Sequence, residues 1–184
     1  MTVERTALLV MDIQQAIVDR TIKDPEYLTR LAGVIDRARR ADIRVVYVRI
    51  GFRPGHQDLS PRNRMFTNSP YLAQFDESSP ATQIVPAIAP QSGDIVVTKR
   101  RVSAFTGSDL EVVLRSNDVS TLALAGISTS GVVLSTLREA ADRDYGLVVL
   151  SDCCADSDPE VHRMLMTKVF PRQAEILSAA DWHR

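Results

Sequence analysis

The sequence has little cysteine and no excess of charge of either sign. Its two cysteines, Cys153 and Cys154, are adjacent in a chain of 184 residues, which excludes a disulfide framework and leads us to expect a reducing, cytoplasmic setting. The 22 Lys and Arg residues nearly balance the 23 Asp and Glu residues, so no electrostatic basis exists for binding nucleic acid or an anionic membrane. No apolar run approaches the roughly 18–20 residues that a membrane span needs. Residues 1–6 lack the pattern of a signal peptide.

The rest of the composition is typical of a globular protein. Apolar residues make up 45% of the chain and charged residues 24%, and a chain of this length can bury a substantial core. Neither an internal repeat nor a low-complexity tract interrupts it. We therefore interpret residues 1–184 as a single domain.

Strand-like and helix-like segments alternate along the chain. Apolar runs typical of buried parallel strands lie at 7–11, 43–50, 95–97, 122–125 and 147–150, with a candidate edge strand at 174–177. Helical patterns lie at 28–38, 108–114, 132–144 and 158–169. This alternation predicts a three-layer, Rossmann-like α/β fold around a parallel sheet of five or six strands.

Local signals refine this outline. Asp24-Pro25 and Asp158-Pro159 are typical of an N-cap followed by proline at the first helical position, and Ser108–Glu111 has the pattern of a capping box. Residues 51–93, by contrast, are rich in proline and keep no period beyond a short turn. A loop of this length inside a compact domain is usually functional or a packing arm.

Three positions that could take part in a reaction lie at the ends of different predicted strands. They are Asp12, Lys99 and the turn at 126–132, which joins a buried strand to a helix. Carboxyl ends of parallel strands share one edge of the sheet, so these positions can converge. A carboxylate, an ammonium and helix-terminal amides together make an acid–base constellation. The alternative is that Asp12 only caps a turn and Lys99 is one solvated charge in a basic run.

The motifs around these positions resemble those of a known superfamily. Residues 8–14, residues 98–100 with 103–105, and residues 125–131 followed by Ser151-Asp152 are similar to the isochorismatase-like hydrolases, also called cysteine hydrolases. The resemblance implies the strand order 3-2-1-4-5-6 and an Asp–Lys–Cys triad in which Asp12 is the acid or base and Lys99 its partner. It also implies a cis peptide between Ile127 and Ser128, and a homodimer or higher homo-oligomer.

The sequence departs from that family at the nucleophile. The position of the catalytic cysteine is occupied by Val132, and valine cannot form a covalent intermediate. Isochorismatases, which also lack this cysteine, are a precedent for protonation assisted by the aspartate, although their aromatic and histidine residues are not found around this turn. By resemblance, the candidate groups for binding the substrate and its reacting oxygen are Ile127, Ser128, Gly131, Val132, Gln14 and Phe105.

Other chemistries fit the sequence less well. Cys153 and Cys154 are more typical of packing residues than of displaced nucleophiles, and a serine triad with His56 or His162 has no supporting motif. The sequence offers too few ligands for a metal site and no phosphate-binding glycine motif, so neither metal nor cofactor is expected. Arg49, Arg53 and the basic run 99–101 could bind a substrate carboxylate or form surface ion pairs.

These observations favour a hydrolase that acts without a thiol on a small polar or carboxylate-bearing substrate, through acid–base chemistry at Asp12 and Lys99. The alternative is a catalytically silent family member that acts as a small-molecule binding or regulatory protein. No nucleic acid or membrane partner is expected in either case.

Overall fold

A six-stranded parallel sheet forms the centre of the computed structural model, which describes residues 5–183. Its strands are β1 (Arg5–Met11), β2 (Arg44–Ile50), β3 (Ile95–Lys99), β4 (Val119–Ile127), β5 (Gly146–Ala155) and β6 (Glu175–Leu177). They lie in the order β3-β2-β1-β4-β5-β6, and every neighbouring pair is parallel. The predicted fold class and strand order are confirmed.

β1 lies at the middle of the sheet, between β2 and β4. All of its residues from Ala7 to Met11 are buried. Leu8 and Val10 pack into the apolar layer on one face, whereas Ala7, Leu9 and Met11 pack into the layer on the other. A strand covered on both faces needs apolar residues at successive positions, which explains the unbroken apolar run.

Helices cover both faces of the sheet and make the outer layers of the fold. They are α1 (Gln15–Thr21), α2 (Tyr27–Arg40), α3 (Arg64–Thr67), α4 (Leu110–Ser116), α5 (Leu134–Ala141) and α6 (Pro159–Met164). α2 buries one stripe against the layer that contains Leu8, while α4 and α5 contribute to the opposite layer. Among residues 5–183, no helix is both long and apolar enough to cross a membrane.

Two of the three predicted caps differ from the structure. Asp24 accepts a hydrogen bond from the Glu26 N–H, but the α2 N-cap is Glu26. The capping box is wrong, because α4 has Asp109 as its N-cap without a side-chain bond. Ser108 Oγ instead accepts from the N–H of Leu110, two residues on, in a local turn. The third cap is confirmed: Asp158 Oδ1 accepts from the N–H groups of the first turn of α6.

The segment 51–93 is neither open nor regular. It contains α3 and four short 3-10 turns, and Phe52, Phe66 and Phe75 stack edge to face with centroid distances of 5.0 and 6.5 Å. All three rings are buried. The segment is therefore a packed arm over the carboxyl edge of the sheet, in agreement with one of the two expected roles.

Candidate active site

The ion pair between Lys99 and Asp12 is the centre of the site. Asp12 follows β1 and Lys99 ends β3, on either side of β2. Lys99 Nζ lies 2.9 Å from Asp12 Oδ2, and the two side chains are only 2% and 8% exposed. Lys99 Nζ also donates to the carbonyl oxygens of Arg101 and Val102, both at 3.0 Å. Three acceptors match the three N–H bonds of an ammonium, so Lys99 is held in one position.

Asp12 keeps one carboxylate oxygen without a partner. Oδ2 binds Lys99, whereas Oδ1 is buried and accepts no hydrogen bond of ordinary geometry among residues 5–183. The nearby Ile50 N–H helps to lower the pKa of the carboxyl, but its hydrogen bond goes to Gln14 Oε1. Burial raises the pKa of Asp12, and the positive charge of Lys99 opposes that rise. The residue also has a φ of 57°, in the left-handed region that few residues other than glycine adopt. Such a carboxyl can hold or release a proton at Oδ1 while Lys99 fixes its other oxygen.

A cavity of about 400 Å³ opens beside this pair. Asp12 and Lys99 border it, together with the last residue of β4, Ile127, and three residues of the turn that follows, Ser128, Gly131 and Val132. The arm 51–93, α1 and the end of β2 close the other side with largely apolar side chains, among them Ile17, Ile50, Met65, Phe66, Tyr71 and Phe75. Cavities of this kind, apolar with a few convergent polar groups, are typical of small-molecule sites.

The turn after β4 has the irregular backbone that the resemblance implies. The Ile127–Ser128 peptide is cis, as expected. A π-helical turn (Thr129–Val133) follows and leads into α5, so the helix predicted from 132 begins with irregular geometry. Ser128 O accepts hydrogen bonds from the N–H groups of Gly131 and Val133. A Cβ at Gly131 would lie 2.6 Å from Ser128 Oγ, so a larger residue there would force the Ser128 side chain to rotate.

Val132 is the residue that the resemblance to the family places at the position of the nucleophile. Its side chain is 2% exposed and borders the cavity. Of the candidate site residues, Asp12, Lys99, Ile127, Ser128, Gly131 and Val132 thus lie around a single space. The acid–base pair is present and the thiol is replaced by an apolar surface.

Gln14 and Phe105 were expected to contact a substrate in this cavity. This expectation needs correction, because neither residue lines the cavity. The Gln14 amide donates to the carbonyl oxygens of Ile50 and Thr82 and accepts from the Ile50 N–H. It therefore ties the arm to β2. Phe105 packs beside Tyr145, with ring centroids 6.1 Å apart, in the apolar layer that contains Leu9 and Met11 of β1. Both residues were assigned by resemblance, which does not give the direction of a side chain.

The arginines proposed from the sequence also lie elsewhere. Arg49 binds Thr98, Arg53 pairs with Asp58, and Arg100 pairs with Asp58 and Glu77. The surface ion-pair alternative fits Arg53 and Arg100. Of the arginines in residues 5–183, Arg20 on α1 is the one that borders the cavity, and sequence reasoning missed it because α1 was not recognised as a helix.

Neither cysteine is poised to attack a substrate in this structure. β5 extends further than predicted and places both Cys153 and Cys154 inside the sheet. Burial raises the pKa of Cys153 to about 12 and also raises that of Cys154. Buried thiols with raised pKa values carry almost no thiolate and are inert.

His162 on α6 is partly buried and contacts the turn after β4. Its Nδ1 lies 2.8 Å from Thr129 Oγ1. Thr129 is buried and does not line the cavity, so this hydroxyl does not contact the space in which a substrate would bind. Across residues 5–183, no three His, Cys, Asp or Glu side chains gather as metal ligands would.

Comparison with known proteins agrees with this geometry. The profile of the isochorismatase domain matches residues 6–181. An uncharacterized isochorismatase family protein of Bacillus subtilis, YwoC, is 32% identical over 171 residues, covering 92% of this chain and 87% of that protein. Maleamate amidohydrolase of Pseudomonas putida is 26% identical, with 96% and 84% covered.

A solved isochorismatase family protein from Burkholderia thailandensis superimposes with a TM-score of 0.86 at 28% identity, covering 98% of this chain and 95% of that one. The fold, the strand order and the extent of these matches agree over nearly the whole chain. The chain therefore belongs to the isochorismatase family.

Proposed function

We propose that the protein is a hydrolase of small, carboxylate-bearing substrates in which Asp12 transfers the proton and water replaces the thiol as the attacking group. One observation carries this proposal. Asp12 Oδ1 has no partner among residues 5–183, although it is buried and its carboxyl borders the cavity. A buried polar atom without a partner is costly, so its retention at the cavity supports a role in the reaction.

For an amide substrate, the steps follow from this arrangement. Asp12 takes a proton from water as the water oxygen bonds to the carbonyl carbon, and the proton then passes to the leaving nitrogen as the C–N bond breaks. The N–H groups of Ser128 and Val132, at the start of the irregular helical turn, bind the oxygen on which negative charge develops. Lys99 keeps the Asp12 carboxylate in place and compensates its charge. With protonated Asp12, the same group can instead donate a proton to a vinyl ether.

The similarity to maleamate amidohydrolase supports an amide among the candidate substrates. Val132 supports water as the attacking group, because a valine side chain cannot form an acyl intermediate.

Turnover of a substrate panel tests the proposal. Maleamate, simple ureides and vinyl ethers are incubated with the wild-type protein, with Asp12→Asn and with Asp19→Asn as the matched control. Asp19 is an exposed carboxylate on α1 that binds Gln15 and does not line the cavity. We expect hydrolysis of one class, a loss of about 10²- to 10⁴-fold in kcat/KM for Asp12→Asn, and little change for Asp19→Asn.

Two results would contradict the proposal. One is full activity in Asp12→Asn, which would remove the proton carrier from the mechanism. The other is tight binding of a panel member without turnover by the wild type, which would favour the silent binding protein.

A further inference from the structure

Arg20 stands at the mouth of the cavity in an unusual arrangement. It precedes the last residue of α1, and its guanidinium carbon lies 4.7 Å from the centroid of the Tyr71 ring and 5.5 Å from that of Phe75. Both rings also border the cavity. A guanidinium over an aromatic face is attracted by the ring, and the stacked plane leaves its N–H edge available.

No carboxylate among the described residues pairs directly with Arg20. Among residues 5–183, no carboxylate forms a salt bridge with Arg20 and no hydrogen bond engages its donors. Arg20 is exposed at the mouth of the cavity, whereas the less exposed Arg39 and Arg100 do have such partners. Arg39 pairs with Asp94 at 2.5 Å, and Arg100 pairs with Glu77 at 2.6 Å.

The charges around the cavity leave a positive surplus. Its charged side chains are Asp12, Lys99 and Arg20, and the first two compensate each other at 2.9 Å. Burial lowers the pKa of Arg20, while the nearby Tyr71 and Asp12 act in the opposite direction. The guanidinium has therefore lost part of its hydration without gaining a counter-ion. An anion that enters the cavity supplies one.

We propose that Arg20, supported by Tyr71 and Phe75, binds the carboxylate of the substrate and selects substrates that carry one. The fork of a guanidinium matches the two oxygens of a carboxylate. The anion is held at the mouth while the reacting bond lies at Asp12. This inference rests on the proposed function, because it assigns the substrate class of the same cavity.

Equilibrium binding tests the inference without needing turnover. Maleate, maleamate and crotonate are each compared with their methyl esters by isothermal titration calorimetry, using wild type, Arg20→Met, Arg20→Lys and Arg172→Met. Met keeps the length and apolar stem of Arg20 without its charge. Arg172 is the matched control, because it is exposed and does not line the cavity.

We expect the wild type to bind at least one carboxylate more tightly than its ester. Arg20→Met should weaken the binding of that carboxylate about 10- to 100-fold, as expected for the loss of hydrogen bonds to a charged group. The affinity for the ester should change less than about twofold. The carboxylate affinity of Arg20→Lys should lie between those of the wild type and Arg20→Met, because lysine keeps the charge but lacks the guanidinium fork. Arg172→Met should bind like the wild type, and thermal unfolding should show that all variants are folded.

Three outcomes would overturn the inference. The first is a wild type that binds no carboxylate more tightly than its ester. The second is an Arg20→Met variant that keeps the wild-type preference for the carboxylate. The third is an equal loss of affinity for acid and ester in Arg20→Met, which would mean that Arg20 has a structural role. These results do not depend on catalysis. Failure of the proposed function would appear separately, as turnover by Asp12→Asn.

Discussion

At the scale of single residues, Val132 supplies no nucleophile to the site, whereas Lys99 holds the Asp12 carboxylate in place. Val132 places an apolar side chain, where the resemblance to the family implies a thiol, beside the turn, the cavity and the buried Asp12–Lys99 pair. Lys99 uses its three donors on Asp12 and two carbonyl oxygens. The side chain that could react is thus Asp12, through its remaining oxygen.

Restoring the thiol tests how much of this environment remains. In Val132→Cys, we expect the new thiol to be alkylated by iodoacetamide much faster than Cys153, whose pKa is about 12. The reason is that the new thiol borders the cavity near Lys99 and at the start of a helical turn, which stabilises a thiolate. Peptide mapping by mass spectrometry measures the two rates.

Val133→Cys is the matched control for that experiment. Val133 is fully buried in the apolar layer of the sheet, so its thiol should react slowly. Equal rates for Val132→Cys and Val133→Cys would show that the cavity does not activate a thiol.

Two glycines in different surroundings test the packing of the site against the sheet. A Cβ at Gly126 would lie 2.6 Å from Met11 O and 2.9 Å from Met11 Cβ, so Gly126→Ala must displace β1 next to Asp12. We expect it to lower the free energy of unfolding by about 1–3 kcal/mol. Gly33, inside α2, has open space, with Arg37 Nη1 at 3.9 Å as the nearest atom.

Gly33→Ala should therefore raise the free energy of unfolding by about 0.5–1 kcal/mol, as alanine replaces glycine in a helix. Guanidinium chloride unfolding measures both variants. An equal effect of the two substitutions would contradict the close approach of β4 to β1.

At the scale of elements, the strands were predictable and α1 was not. Strands buried on both faces impose apolar runs that are visible in the sequence. α1 has seven residues and buries only Ile17 and Val18, too few to establish a helical period. Arg20 was missed for this reason, since its position at the cavity depends on α1 turning back over the sheet edge.

The contact of α6 with the turn after β4 leads to a prediction on pH. Burial lowers the pKa of His162 below its usual 6.5, and Asp156 opposes this. The unfolded chain then binds a proton more readily than the folded one, so stability from this group is present above about pH 6.5 and is lost as the pH falls below it. His162→Gln should reduce the loss of unfolding free energy between about pH 8 and about pH 5.

Denaturant titrations of both proteins at the two pH values provide the measurement. Glutamine can still bond to Thr129, so the comparison mainly removes the titrating group. An unchanged pH dependence in His162→Gln would argue against a depressed pKa.

At the scale of the whole molecule, the sequence predicted the sheet order and the convergence of Asp12 with Lys99. The strand order came from the resemblance to the family, whereas the convergence follows from topology, because parallel strands bring their carboxyl ends to one edge. The placement of Gln14 and Phe105 could not be obtained in this way. Gln14 binds backbone atoms of β2 and of the arm, and Phe105 faces Tyr145. Side-chain direction after a strand depends on the packing of distant segments.

The most direct test of the central claim is the activity of a protein without any thiol. The chain contains only Cys153 and Cys154, so the double variant Cys153→Ala/Cys154→Ala has no sulfur nucleophile. On a substrate hydrolysed by the wild type, water attack at Asp12 predicts a kcat/KM within about threefold of the wild-type value. A loss of about 1,000-fold or more in kcat/KM, with an unchanged circular dichroism spectrum, would contradict it.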